Sequence, residues 1–102
     1  MRETPKDVVK DEITYIFLVK DTEKGAGLSA AARKKEVNGV TELVRREGGH
    51  CRLFTTRGSP FDFVSVITGI TPAAAIRLAA EIEKAGTVKA TLISGLEVFY
   101  SR

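Results

Sequence analysis

The spacing of apolar and polar side chains changes along the chain and separates predicted strands from predicted helices. Four segments rich in β-branched and aromatic residues are predicted to be strands: 13–20, 50–56, 61–68 and 87–100. Two segments place apolar residues every three or four positions and are predicted to be helices: 28–47 and 72–85. Residues 21–27 contain Asp, Thr and two glycines, which predicts a loop. The predicted order is therefore β-α-β-β-α-β.

Local signals support the ends of these elements. Thr71 is placed to cap the second helix, with Pro72 at its first position, where a missing N–H costs nothing. Gly48-Gly49 and Gly86 are typical of helix ends. Gly95, inside the last strand, predicts a bulge or a break.

This order predicts an α+β, ferredoxin-like sandwich: a four-stranded antiparallel sheet in the order 4-1-3-2, with both helices on one face. The other face is then open. Successive residues of a strand point to opposite faces of the sheet, and in the first and third strands the residues on both faces are apolar. We therefore expect aromatic side chains on the open face: Tyr15, Phe17, Phe61 and Phe63. A monomer rarely exposes such a patch, which predicts a homodimer through this face.

RNA is the alternative occupant of the open face. Arg57-Gly58 precedes two aromatic residues, as in an RNA-recognition motif, and such aromatics stack on bases. Asp62 lies between the two aromatics and would repel phosphate. The 16 Lys and Arg residues exceed the 13 Asp and Glu residues only by a formal charge of +3. Nucleic acid binding is therefore disfavoured.

Length and composition describe one folded domain. The chain has 102 residues, of which 43% are hydrophobic and 28% charged. We expect a flexible tail over 1–12 and a single domain over 13–102. The N-terminal residues alternate in charge without an apolar run, so neither a signal peptide nor a membrane partner is expected, and a cytoplasmic location is predicted.

A single cysteine and a single histidine limit the chemistry. Cys51 alone excludes an intrachain disulfide and a thiolate metal cage, and no metal site is predicted. His50 is a candidate proton shuttle or axial heme ligand. Asp62 is a candidate base, with hydrogen bonding to backbone N–H groups as its structural alternative. Tyr15 and Tyr100 could each donate a hydrogen bond to a ligand between the helices and the sheet.

The first helix carries most of the clustered basic residues. Arg33-Lys34-Lys35 and Arg45-Arg46 are interleaved with glutamates, a pattern typical of a solvated helix face.

Short segments spread over residues 14–101 resemble the GYD domain family of small bacterial proteins. The matching segments are Thr14-Tyr15-Ile16-Phe17, Gly48-Gly49, Phe61-Asp62-Phe63-Val64-Ser65-Val66-Ile67 and Gly86-Thr87-Val88-Lys89-Ala90-Thr91-Leu92. The Gly-Tyr-Asp signature of the family aligns with Pro60-Phe61-Asp62, which keeps the Asp and lacks the phenol.

The resemblance implies the dimeric α/β-barrel variant of the ferredoxin-like fold. With the residues above, it favours a homodimeric module that binds a small apolar or anionic molecule without a cofactor. The alternative is a cofactor-free monooxygenase or isomerase, or a heme-binding relative, using His50 or Asp62. Whether the protein is an enzyme stays open at this point.

Overall fold

The computed structural model describes residues 12–56 and 59–98. The described chain contains four strands and three helices: β1 (Ile13–Asp21), α1 (Glu23–Ala26), α2 (Ala30–Arg46), β2 (His50–Thr55), β3 (Phe63–Thr68), α3 (Pro72–Glu83) and β4 (Val88–Leu96). Much of the 1–12 segment, Arg57 and Tyr100 lie outside the described residues.

The strands form one antiparallel sheet in the order β2-β3-β1-β4, as predicted. The bulge or break expected at Gly95 is wrong. The pairing of β1 with β4 is continuous from Ile13 with Leu96 to Asp21 with Val88, and Gly95 pairs with Thr14. Strand β3 begins at Phe63, two residues later than expected, so Phe61 and Asp62 lie in the connection that precedes it.

Side-chain caps begin all three helices. The Thr71 hydroxyl accepts from the N–H of Ala74, and Pro72 occupies the first turn of α3, as predicted. The loop expected over 21–27 instead contains α1, which begins where Thr22 accepts from the N–H of Gly25. A four-residue helix is too short to show a helical period in the sequence.

The core lies between the helices and one face of the sheet. Phe17, Ile67 and Val44 are its largest fully buried side chains. Two alanines of α3, Ala74 and Ala75, are also buried, so this helix packs closely on the sheet. Three further residues on the same face of α3 also pack against the core: Leu78, Ala79 and Ile82.

The set of aromatic residues expected on the open face is wrong. Tyr15 and Phe17 are buried in the core beneath the helices, and Phe63 packs against the same core. Phe61 lies before β3 and is half-buried. Because the residues of β1 that point to either face of the sheet are apolar, alternation alone does not predict which of them face the helices. The aromatic rings fill the space beneath the helices.

The alternate residues of each strand form the open face, which no described element covers. The apolar members of this face are Ile16, Leu18, Phe54, Val64, Val66 and Ile93. Phe54 and Ile93 are 42% and 44% exposed. Among the described residues, no helix is long and apolar enough to cross a membrane.

Candidate ligand cavity

A small cavity lies between α2 and the sheet, and we call it the helix–sheet cavity. Its volume is about 60 Å³. Its walls are mainly aliphatic and aromatic: Val19, Val37, Val40, Leu53, Phe63, Ile82 and Val88. Five residues bring polar or sulfur atoms to the lining: Arg33, Glu36, Thr41, Cys51 and Ser65. Leu53 is 40% exposed, so the cavity opens to solvent beside the edge strand β2.

The periods of the elements place these side chains together. On α2, Arg33, Val37 and Val40 follow the spacing of one helix face. On the sheet, Cys51 and Leu53 of β2 point the same way as their neighbours on β3 because strand residues alternate. The apolar side chains of both layers therefore meet at the cavity.

Arg33 forms the polar end of the cavity. Its Nη1 donates to Glu36 Oε1 at 2.7 Å, and its Nη2 donates to the Gly25 carbonyl at 3.0 Å. Nη2 also donates to the Asp21 carboxylate. The guanidinium carbon lies 4.9 Å from the centre of the Phe63 ring, a cation–π distance. These contacts fix the guanidinium in one place, with the side chain only 20% exposed.

The partners of Arg33 are themselves held by neighbouring backbone and side chains. The Thr87 hydroxyl donates to Glu36 Oε2, and Thr87 is buried. Gly25 is buried against the Thr87 carbonyl, where a Cβ atom would lie only 1.9 Å from the oxygen. Glycine is thus required at position 25, because any side chain would push α1 away from the start of β4.

Asp62 joins the loop before β3 to the end of β1. Its Oδ2 accepts from the backbone N–H of Asp21 at 2.8 Å, and its own N–H donates to the Val19 carbonyl at 2.9 Å. This carboxylate therefore ties backbone segments together, and Asp62 does not line the helix–sheet cavity. This hydrogen bond corresponds to the structural alternative considered for Asp62, in which its carboxylate accepts from a backbone N–H group. The donor belongs to the last residue of β1.

Cys51 reaches the cavity wall and His50 does not. The Cys51 Sγ lies 3.2 Å from the Ser65 Oγ, and the thiol is half-buried. His50 precedes it, points to the open face and is exposed. His50 is the first residue of β2 and pairs with Thr68 of β3, whereas Asp62 lies near the opposite end of these strands. The structure therefore does not bring these two candidates together.

The two candidate tyrosines have different outcomes. Tyr15 is buried in the core, and its hydroxyl has no hydrogen-bond partner in the described ranges 12–56 and 59–98. Tyr15 is not part of the cavity lining. Tyr100 lies outside the described residues.

Sequence reasoning missed Arg33 and Glu36. The run that contains Arg33 predicts a solvated helix face, yet this guanidinium is mostly buried and lies against Phe63. The surface prediction does hold for Arg45, which pairs with Glu42 and lowers the pKa of that carboxyl, chiefly by donating a hydrogen bond to it. The three-residue spacing of Arg33 and Glu36 was the available signal for their pairing.

A second hollow lies between α2 and α3. Its volume is about 150 Å³, and its apolar floor includes Leu43, Ile70 and Leu78. An exposed ion pair between Arg77 and Glu47, 3.1 Å apart, lies at its rim. Across the described part of the chain, no group of three or more His, Cys, Asp and Glu side chains could hold a metal ion.

The chain matches no family model and no curated protein. Among solved structures it is similar to a mutant chlorite dismutase from Candidatus Nitrospira defluvii in complex with cyanide, with 12% identity and a TM-score of 0.64. That match covers 98% of this chain and 46% of the other. A mutant of SnoaB, a cofactor-independent oxygenase from Streptomyces nogalater, matches with 13% identity and a TM-score of 0.63, over 88% of this chain and 96% of the other.

The leucine response regulatory protein of Mycobacterium tuberculosis has the same fold in part of its chain. It matches at 16% identity with a TM-score of 0.56, over 99% of this chain and 61% of the other. The chain thus spans about half of the chlorite dismutase and under two thirds of the regulator. At these identities the likeness concerns fold alone. The chain therefore shares with these structures an α+β fold of the ferredoxin-like type, with a four-stranded antiparallel sheet and its helices on one face.

Proposed function

We propose that this protein is a homodimeric module that binds a small, largely apolar molecule in the helix–sheet cavity. The observation that carries the proposal is the cavity itself: apolar walls from both layers, with a fixed guanidinium at one end. Ligand sites in proteins share this design of mostly hydrophobic walls with few oriented polar groups. The anionic ligand considered from the sequence is less well supported, because two carboxylates flank Arg33.

The homodimer forms through the open face of the sheet. Its central positions are occupied by Ile16, Leu18, Val64 and Val66, with Phe54 and Ile93 toward the edges. Covering such a face gains about 25 cal/mol for each Å² of apolar surface buried.

Two narrower assignments accompany this proposal. The short segments quoted above support membership of the GYD domain family, and the single free thiol at Cys51 suits a reducing cytoplasm.

Cys51 provides a direct test of ligand binding, because it is the only cysteine in the chain and lines the cavity. α-Methylstyrene is a suitable apolar probe, because the cavity is open beside Leu53 and the part of the molecule that exceeds the enclosed volume can lie in that opening. At saturation it should slow modification of the Cys51 thiol by a water-soluble disulfide reagent about tenfold, since reactivity depends on access. Mass spectrometry of molecules that co-purify with the protein would identify a natural ligand.

A pair of variants locates the effect. Val40→Phe fills the cavity from α2 and should abolish protection by α-methylstyrene. Ile76→Phe is the control, because Ile76 points outward from α3, is 66% exposed and is not in the cavity lining. The proposal would be contradicted if α-methylstyrene left the reactivity of Cys51 unchanged in the unsubstituted protein. It would also be contradicted if α-methylstyrene protected Cys51 equally well in Val40→Phe.

The second candidate is a cofactor-free oxygenase or isomerase, for which the match to nearly the whole SnoaB chain is the supporting observation. The geometry favours binding, because neither His50 nor Asp62 lines the cavity. Heme does not fit, because the only histidine in the chain, His50, is exposed on the open face and does not line the cavity. Oxygen consumption with a quinol substrate, lost in Val40→Phe, would support the enzyme instead.

A further inference from the structure

Arg33 has hydrogen-bonding capacity that its protein partners do not use. A guanidinium carries five N–H donors. Three bonds are made within residues 12–56 and 59–98: one from Nη1 to Glu36, and two from Nη2 to Asp21 and Gly25. The Nε–H and the second Nη1–H meet no acceptor in that part of the chain, and Arg33 lines the cavity. Because Arg33 lines the cavity, these two groups are the guanidinium donors left for a ligand at its polar end.

The charge around Arg33 restricts what can accept this hydrogen bond. Asp21 and Glu36 both contact the guanidinium, so the three groups together carry one net negative charge. A carboxylate or phosphate beside Arg33 would lie close to both acids, and the repulsion between like charges would weaken its binding. An uncharged acceptor avoids this cost and still receives a charge-assisted hydrogen bond.

The other walls of the cavity offer a polar ligand group no hydrogen-bonding partner comparable to Arg33. Val37, Val40 and Leu53 present only hydrocarbon, and the Phe63 ring lies beneath the guanidinium. The Cys51 thiol and the Ser65 hydroxyl are directed at each other, and the Thr41 hydroxyl donates to the Asn38 carbonyl. A second charged or strongly polar group on the ligand would therefore lose its water without finding a partner.

We infer that the ligand is an uncharged, mainly hydrocarbon molecule with one carbonyl-type oxygen, which accepts a hydrogen bond from Arg33. This inference rests on the proposed function and narrows it to a chemical class: aromatic or alicyclic ketones, esters and related neutral carbonyl compounds. The hydrocarbon part lies along α2 and β2, and any larger part of the molecule extends past Leu53 to solvent.

Three probes of nearly the same shape test this assignment. Acetophenone carries the carbonyl, α-methylstyrene replaces the oxygen with a methylene group, and benzoate adds a negative charge. Protection of the Cys51 thiol, titrated with each compound, gives the three dissociation constants. We expect acetophenone to bind about tenfold more tightly than α-methylstyrene. Against benzoate, we expect the preference for acetophenone to be at least about tenfold.

Substitution of Arg33 tests whether the preference for the carbonyl comes from this residue. In Arg33→Met the ratio of the dissociation constant of α-methylstyrene to that of acetophenone should fall to about one. Arg45→Met is the matched control, because Arg45 lies on the same helix, is 74% exposed in its side chain and should leave the ratio unchanged. If Arg33→Met does not fold, Arg33→Met combined with Asp21→Ala and Glu36→Ala leaves no unpaired carboxylate at the site and should show the same ratio of about one.

The outcomes separate this inference from the proposed function. Equal binding of acetophenone and α-methylstyrene would overturn the role of Arg33 while leaving an apolar binding module. Tighter binding of benzoate would overturn it in favour of an anion site. Absence of protection by all three compounds would overturn both the inference and the proposed function. An undiminished ratio in folded Arg33→Met, or in its combination with Asp21→Ala and Glu36→Ala, would assign the carbonyl preference to another group.

Discussion

Replacement of Gly25 by alanine should damage the polar end of the cavity more than any comparable change on the surface. An ideal Cβ at this position lies 1.9 Å from the Thr87 carbonyl oxygen and 2.8 Å from Asp21 Oδ1. Both atoms belong to groups that cannot simply rotate away, because the first is backbone and the second binds Arg33. Helix α1 must therefore move away from the start of β4.

The cost can be worked out from the contacts that this movement breaks. The N–H of Thr22 donates to the Thr87 carbonyl at 2.9 Å, and the Thr22 hydroxyl donates to the Gly86 carbonyl at 2.6 Å. The Gly25 carbonyl also accepts from Arg33. Loss of two such hydrogen bonds at about 1 kcal/mol each, with about 1–3 kcal/mol of overpacking, gives roughly 3–5 kcal/mol of destabilisation.

Urea denaturation of three proteins measures this effect: the unsubstituted chain, Gly25→Ala and Gly39→Ala. Gly39 lies within α2 with no atom near its ideal Cβ, so alanine there should raise the free energy of unfolding by about 0.5–1 kcal/mol. The two alanine substitutions should thus act in opposite directions. If Gly25→Ala costs less than about 1 kcal/mol, the close approach of α1 to Thr87 is not rigid and the reasoning fails.

Three further predictions concern other parts of the molecule. Asp62→Ala should lower the free energy of unfolding by about 1–3 kcal/mol and Asp62→Asn by less, because the amide oxygen still accepts; equal stability of Asp62→Ala and the parent chain in urea would refute the structural role. Light scattering after size exclusion should show a dimer at micromolar concentration that Val66→Lys dissociates and Ile76→Lys does not, whereas a monomeric parent would contradict the interface. The hydrogen bond from Arg45 lowers the pKa of Glu42, so the stabilisation from this pair is present above the ordinary pKa of a glutamate and is lost as the pH falls through the lowered value. An NMR titration should show that Arg45→Met returns the Glu42 midpoint upward; an unchanged midpoint would refute the pairing.

The predicted fold depended on signals that act over a few residues. Thr71 and Pro72 begin α3 as the sequence indicates, because capping involves only the first turn of a helix. Gly48 has a φ of +82°, a left-handed conformation that explains why α2 ends beside it. The faces of β1 were not predictable in this way, since Phe17 and Leu18 are both apolar and alternation gives no contrast between them.

The candidate site depended on contacts between distant parts of the chain. Arg33 is buried because Asp21 and the Gly25 carbonyl receive its hydrogen bonds, and Glu36 is held by Thr87, 51 residues away. No local pattern encodes those partners. His50 is the only imidazole in the chain and was chosen for its chemistry, but its position on β2 directs it to the open face.

The central claim is that apolar molecules bind in the helix–sheet cavity, and amide chemical shifts during a titration with α-methylstyrene test it most directly. We expect the largest shifts at residues around the cavity, such as Val37, Val40 and Leu53. Shifts confined to the open face around Val66, or to the hollow beside Leu78 between α2 and α3, would contradict it. So would a spectrum that does not change at saturating probe.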